Sequence, residues 1–246
     1  MAAQAPHSGD WLQALPIAAI GLRLSDEEIR VATGLRLGLK ICEPHRCVCG
    51  GIVDGRGLHS LSCKKVGGRQ QRHAEINDII WRGLTRANIQ SVKEPPGLSR
   101  QDGKRPDGMT LIPWRRGKCL VWDATVYDTF AASYLQQTAL AAGAAADRAA
   151  ALKIAKYSDI SQDYHFVPVA LETSGAWHEE SREVISELGR RIVQVTGDTR
   201  EISFIFQRVS AALQRGNYLC FYNTVLPCAS DDDSRVIFSS AFSFSF

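Results

Sequence analysis

The chain has 246 residues, 45% of them apolar and 22% charged, with 29 Lys and Arg against 26 Asp and Glu for a net charge of +3. That composition excludes a wholly disordered chain, and no run approaches the roughly 18 to 20 apolar residues that a bilayer-spanning helix needs. The charge is unevenly placed. Residues 1–63 are neutral, residues 64–118 carry 13 basic against 5 acidic side chains, and residues 119–246 carry 10 against 15. A +8 block in an otherwise neutral or acidic chain predicts a face for a polyanion, of which nucleic acid is the commonest.

The opening Met-Ala-Ala-Gln-Ala-Pro lacks the basic region and apolar core of an export signal, so an intracellular location is expected. The seven cysteines should then stay reduced, and their odd number suits a metal site with spare thiols better than a disulfide framework.

In chain order, residues 1–10 read as a mobile terminus and residues 11–24 as an apolar lead-in. Ser25 and Glu28 have the spacing of a capping box, and Ile29, Ala32, Leu35 and Leu39 follow at helical intervals. A Cys/His/Gly-rich stretch occupies residues 42–63. A helix is predicted over about 69–87, with Ile76, Ile79, Ile80 and Leu84 on one side. Strands are expected at 89–93, at 109–112 closed by Pro113, at 119–126, and at 166–171, where Pro168 argues for an edge or a bulge. An alanine-rich helix over about 140–157 separates the third strand from the fourth, and two helices follow near 180–196 and 200–215. A helix crossing between strands predicts an α/β fold with a mixed sheet and flanking helices. The tail from Ser230 to Phe246 shows no element.

Two clusters carry chemistry. Cys47, Cys49, His59 and Cys63 form C-x-C-x9-H-x3-C with glycines between the halves. Three thiolates and an imidazole make a closed, soft set suited to structural Zn²⁺, with Cys42 and His45 as substitute ligands. Downstream, Asp107 opens the second strand and Asp123 lies in the third. Two carboxylates on adjacent strands can converge on one Mg²⁺, which stabilises charge on a phosphodiester and activates water. Glu75 on the preceding helix is a candidate third acid, and the Ala124 carbonyl a further ligand. Lys153 or Lys156, on the helix after the third strand, would supply the amine that holds the attacking water. Glu172, at the end of the fourth strand, reads as a strand-end cap or an ion-pair partner. Serine-hydrolase and phosphate-loop motifs are absent.

The order Cys47, Cys49, His59, Cys63, then Arg72-His73, then Lys104-Arg105-Pro106-Asp107, then Asp123 and Lys156-Tyr157, resembles one region of non-LTR retrotransposon polyproteins. That region is the restriction-like, or PD-(D/E)xK, endonuclease with its CCHC zinc knuckle, C-terminal to the reverse transcriptase. The likeness runs over about residues 10–217. It implies a restriction-endonuclease-like domain at 67–217, preceded by an N-terminal helical segment at 1–40 and a zinc knuckle at 41–66, and followed by a tail at 218–246. It further implies a metal-dependent DNA endonuclease that nicks target DNA, acting in the nucleus. Asp107 and Asp123 would be the Mg²⁺ ligands, Lys156 the catalytic lysine, and Cys47, Cys49, His59 and Cys63 the Zn²⁺ ligands. Lys104, Arg105, Arg72, His73 and Tyr157 would contact DNA, with RNA as a second polyanion; neither a membrane nor a small-molecule cofactor is expected. Two departures stand out: the acids are spaced wider than in the family, and the lysine has left the third strand. The polymerase signature, an aromatic followed by Ala-Asp-Asp, is absent, so a truncated, processed or domesticated nuclease piece is expected. The alternative is a non-catalytic zinc-knuckle remnant that binds nucleic acid without cutting it.

Overall fold

The computed structural model describes residues 2–98 and 103–225. The expectations for the tail at 230–246 lie outside the described residues. Helix α1, Asp26–Leu37, begins at the predicted capping box: Ser25 accepts from the Glu28 amide while the Glu28 carboxylate accepts from the Ser25 amide. A small hairpin of β1 (His45–Arg46) and β2 (Ile52–Val53) and the short helix α2 (His59–Ser62) follow, and then the long helix α3 (Gly68–Arg86). The main sheet contains β3 (Ser91–Lys93), β4 (Gly108–Arg115), β5 (Lys118–Tyr127) and β6 (His165–Glu172), in that spatial order. β3, β4 and β5 are antiparallel neighbours, whereas β5 and β6 run parallel. The parallel pair requires a crossover, made by α4 (Leu135–Leu140) and α5 (Ala144–Lys156). Helices α6 (Glu179–Thr196) and α7 (Glu201–Tyr222) are the last elements among the described residues. The expected mixed α/β sheet with flanking helices is therefore present.

The alternation of side chains along β5 and β6 divides the core. Leu120, Trp122 and Ala124 on β5, with Val167, Val169 and Leu171 on β6, face one buried cluster with Ile76, Ile80 and Leu84 of α3, Leu188 of α6 and Phe206 of α7. The opposite face meets α5 through Ala146, Ala149 and Ala150, which pack on Ala170. Asp123 belongs to that second face. The small alanines let α5 lie close to the sheet.

Three readings need correction. β4 does not end at Pro113 but continues to Arg115, because β3 reaches only to Thr110 and Pro113 therefore has no ladder bond to lose on that side. Pro168 is tolerated because β6 is the outer strand of the sheet, as anticipated. Residues 1–10 do not form a loose terminus: His7 stacks on Phe206 at 3.7 Å between ring centroids, Ser8 is buried, and Trp11 inserts beside Leu22 and Ala211. A boundary at 217 cuts α7, which runs on to Tyr222 and packs Phe221 among Ile41, Cys47 and Cys63. Among the described residues no helix is long and apolar enough to cross a membrane.

Candidate functional site

The knuckle is assembled from one hairpin and one helical turn. Cys47 follows β1, Cys49 lies in the hairpin turn, His59 opens α2 and Cys63 follows its end. Gly50 adopts φ +88°, and a Cβ on Gly51 would stand 2.9 Å from His59 Cε1, so glycines are required for the turn to bring the four ligands together. The four ligand atoms lie within 4.8 Å of one another. Cys47 Sγ and Cys63 Sγ are 3.8 Å apart and Cys49 Sγ is 3.2 Å from His59 Nε2. With Zn–S bonds of about 2.3 Å, a tetrahedron has an edge of about 3.8 Å. Those two spacings are close to tetrahedral edges, and the donor set suits a soft tetrahedral cation. The Gly51 amide, donating to Sγ at 3.3 Å, holds the Cys49 thiol down at about 6, whereas burial pushes Cys47 up to about 11. Cys42 and His45 are not part of the set: the Cys42 thiol meets the Asp54 carbonyl at 3.4 Å, and His45 Nε2 meets Thr224 Oγ1 at 2.9 Å.

The second cluster sits where α3, β4, β5 and α5 converge. His73, Asp107 and Asp123 place ligand atoms within 4.8 Å of one another. Asp107 Oδ2 accepts from the Ala124 amide at 2.6 Å and lies 3.1 Å from His73 Nε2, which is also 3.1 Å from the Ala124 carbonyl. Asn77, one turn after His73, approaches the imidazole at 3.4 Å with its amide nitrogen while its oxygen accepts from Trp122 Nε1 at 3.1 Å. Burial opposes ionisation of Asp107, but the hydrogen bond and charge of His73 outweigh it and hold the carboxyl below its ordinary value. The same hydrogen bond raises His73. Burial, followed by the Asp107 charge, pushes Asp123 up, with Lys153 opposing.

Lys153 Nζ donates to Asp123 Oδ1 at 2.7 Å. Lys156 instead donates to the Tyr157 hydroxyl at 2.9 Å, and that hydroxyl donates to the Arg105 carbonyl at 3.0 Å. The helix alone does not make the choice. Relative to Ala146, position 153 is rotated by about −20° and position 156 by about −80°. Both angles fall within the stripe of buried alanines at 145, 146, 149 and 150, Lys153 near its middle and Lys156 towards one edge, and it is their partners that tell them apart. Glu172 fixes the start of α5 by accepting from the Ala145 amide at 2.9 Å, in a capping role and away from the cluster.

Of the remaining predicted residues, Tyr157 stays at the cluster, its hydroxyl close enough to Asp123 to favour the ionised carboxylate, and the others are dispersed. Glu75 is not brought to the carboxylates; two residues beyond His73 it is rotated by about 200° on α3 and pairs with Arg215, so it cannot share that helix face. Arg72 turns inward, 2% exposed, and donates to Asn217 Oδ1 at 2.6 Å. Lys104 and Arg105 are exposed on the approach to β4, and Tyr157 is buried beneath them against Phe166. His73 as a carboxylate partner and Asn77 as its brace were missed by sequence reasoning, although their i, i+4 spacing places them on one face.

No protein-family model matches the chain, and no curated protein matches it.

Proposed function

We propose that the chain is a metal-dependent DNA endonuclease of restriction-like type, carrying a structural zinc knuckle. The observation that carries the reading is the convergence of Asp107, Asp123 and His73, from three separate elements, beside a lysine amine. His73 Nε2, Asp107 Oδ2 and the Ala124 carbonyl are separated by the 3.1 Å contacts described above, close to the edge of about 2.9 Å expected around an octahedral cation with bonds of about 2.1 Å. Two carboxylates and a carbonyl are hard donors that suit Mg²⁺, and the imidazole extends the range to Mn²⁺. Such a cation, when bound, stabilises charge on the phosphodiester and lowers the pKa of water.

The chain's own residues do the rest. Asp107 is oriented by the Ala124 amide and is held ionised, ready to ligate. His73 shares the Nε2 proton between Asp107 and the Ala124 carbonyl, and it would give up that proton to act as a ligand. Lys153, tethered to Asp123, offers its ammonium to the water or to the developing negative charge, in place of Lys156. Lys104 and Arg105, exposed beside Asp107, would meet the phosphates, and intracellular action on nuclear DNA follows from the substrate.

Supercoiled plasmid incubated with the wild-type chain and Mg²⁺ or Mn²⁺ should be nicked, and Asp107→Ala should lose the activity while still binding DNA. A variant that cuts as fast as wild type would overturn the assignment. Binding by the wild-type chain with no cleavage in either metal would leave only the remnant reading.

A further inference from the structure

The turn between β4 and β5 is a two-residue hairpin, with Arg116 at φ +50°, Gly117 at φ +77° and Arg115 opposite Lys118 on the last rung of the ladder. Three cations are thereby gathered at one end of the sheet. They line a pocket of about 390 Å³ whose other wall, between α5 and β6, is formed by Ser161, Tyr164, His165 and Phe166. No carboxylate lines it.

Two observations give this pocket an excess of positive charge that the chain does not answer. The first is the rung itself. Like charges placed directly opposite each other destabilise a strand pair, and the lining supplies no acid between Arg115 and Lys118. Lys118 donates only to neutral acceptors, the Ser161 and Gln162 carbonyls, which fasten the turn to that segment and leave the charge in place. The second is His165. Burial holds its imidazole below its ordinary value; Glu180 opposes this, while Arg115, Lys118 and Arg116 all act in the same sense as burial. The fields of the three cations therefore converge on one point of the pocket wall. The neighbouring groove, on the α6 side of His165, sets Glu180, Glu183 and Glu187 against its arginines and offers no such excess.

The pocket is joined to the carboxylate cluster. Phe166 in its wall packs on Tyr157, with ring centroids 4.9 Å apart, and the Tyr157 hydroxyl favours the ionised form of Asp123. Along β5, five steps of about 3.4 Å separate Lys118 from Asp123, a length of about 17 Å. B-DNA rises by about 3.4 Å per base pair, so the same length covers about five base pairs.

We infer that the Arg115–Lys118 turn and its pocket form a second contact for the backbone of a DNA duplex, about five base pairs to one side of the phosphodiester held at the carboxylates. The placement rests on the proposed nuclease function. Lys104 and Arg105 meet the strand where it is cut, and the turn holds the flank, so the duplex lies along β5 and its orientation over the site is fixed from both ends.

The test uses the full zinc-loaded chain and a fluorescein-labelled duplex of about 20 base pairs, with no other divalent cation, titrated at salt from about 50 to 200 mM. Arg115→Gln and Arg116→Gln, both at exposed positions, remove the charge and keep most of the stem. The control is Arg200→Gln, exposed just before α7 and paired with Asp198. Each turn variant should flatten the slope of log affinity against log salt by about 0.9, so that affinity falls about threefold less than wild type over that range. Arg200→Gln should match wild type. Unchanged slopes in both turn variants, or no DNA binding by the wild type, would overturn the contact. An effect confined to a single strand of the same length would assign the pocket to unpaired DNA and also overturn it. With Mg²⁺ or Mn²⁺ added, wild-type nicks should avoid the last five or so base pairs at one end of each strand, and the turn variants should relax that exclusion; wild-type nicks close to both ends would overturn the placement. A chain that shows the predicted slopes but does not cut DNA loses the nuclease reading and keeps the contact; one that cuts with unmoved slopes keeps the nuclease reading and loses the contact.

Discussion

Lys153→Ala isolates the pair at the centre of the carboxylate site. The Asp123 side chain is 4% exposed and Lys153 is 25% exposed, with 2.7 Å between the charged atoms. Stranding one partner of a fully buried pair costs about 3–5 kcal/mol, and the partial exposure of the lysine lowers the expectation to about 2–3 kcal/mol at pH 7. Protonation offers Asp123 an escape. Starting from an ordinary carboxyl pKa near 3.9, neutralising it costs about 4 kcal/mol at pH 7 but only about 1.5 kcal/mol at pH 5, which caps the penalty there. The sign follows from linkage. Burial and Asp107 raise the folded-state pKa of Asp123 above its unfolded value, so the folded variant binds more protons and loses stability as pH rises between the two. Urea denaturation followed by tryptophan fluorescence, without added divalent cation, should show the deficit of Lys153→Ala shrinking from pH 7 to at most about 1.5 kcal/mol at pH 5. Adding Asp123→Asn should recover most of it, and Lys156→Ala should cost less than about 1 kcal/mol. A deficit equal at both pH values, or equal effects at the two lysines, would refute the assignment of Lys153 as the buried partner.

Gly108→Ala, next to Asp107, would put a Cβ 2.1 Å from the Trp122 ring and should cost about 3 kcal/mol, seen as a Tm drop of about 6–10 °C. Gly117→Ala, at φ +77° with open space around it, should cost only about 1 kcal/mol of backbone strain. Metal analysis of the purified chain should find one equivalent of tightly held Zn²⁺, and Cys63→Ser should lose it; less than about half an equivalent in wild type would count against the knuckle.

Local pattern revealed most of the elements: α3 and α6 carry one-sided apolar stripes, β5 is a run of β-branched and aromatic residues buried on both faces, and local chemistry reinforces them, as at the Ser25–Glu28 box. The places where it failed are those governed by distant partners. Pro113 signals a strand end to any local rule, and only the short reach of β3 makes it harmless. Nothing near His7 announces that Phe206, some two hundred positions away, receives its ring. The Cys/His set was legible since all four ligands fall within one short loop. The carboxylates were legible as a pair, but their company was not: Glu75 was chosen as an acid by residue type, when its rotation on α3 excluded it. Lys153 could not be separated from Lys156 by the alanine stripe, because both positions fall within the arc spanned by the buried alanines of α5; only the partner each amine reaches distinguishes them.

Helix α7 joins the main core to the N-terminal segment and to the knuckle. Phe206 and Leu213 sit in the main core, Ala211 under the N-terminal Trp11, Asn217 on Arg72, and Phe221 beneath the cysteines. Just past its end, the Thr224 carbonyl accepts from the Val48 amide and the Thr224 hydroxyl meets His45. A stop codon placed at 218 would therefore do more than trim a tail. The ribosome would release a chain whose cysteine loop has no floor to fold against, so the last turns of α7, made long after the loop, complete the metal site.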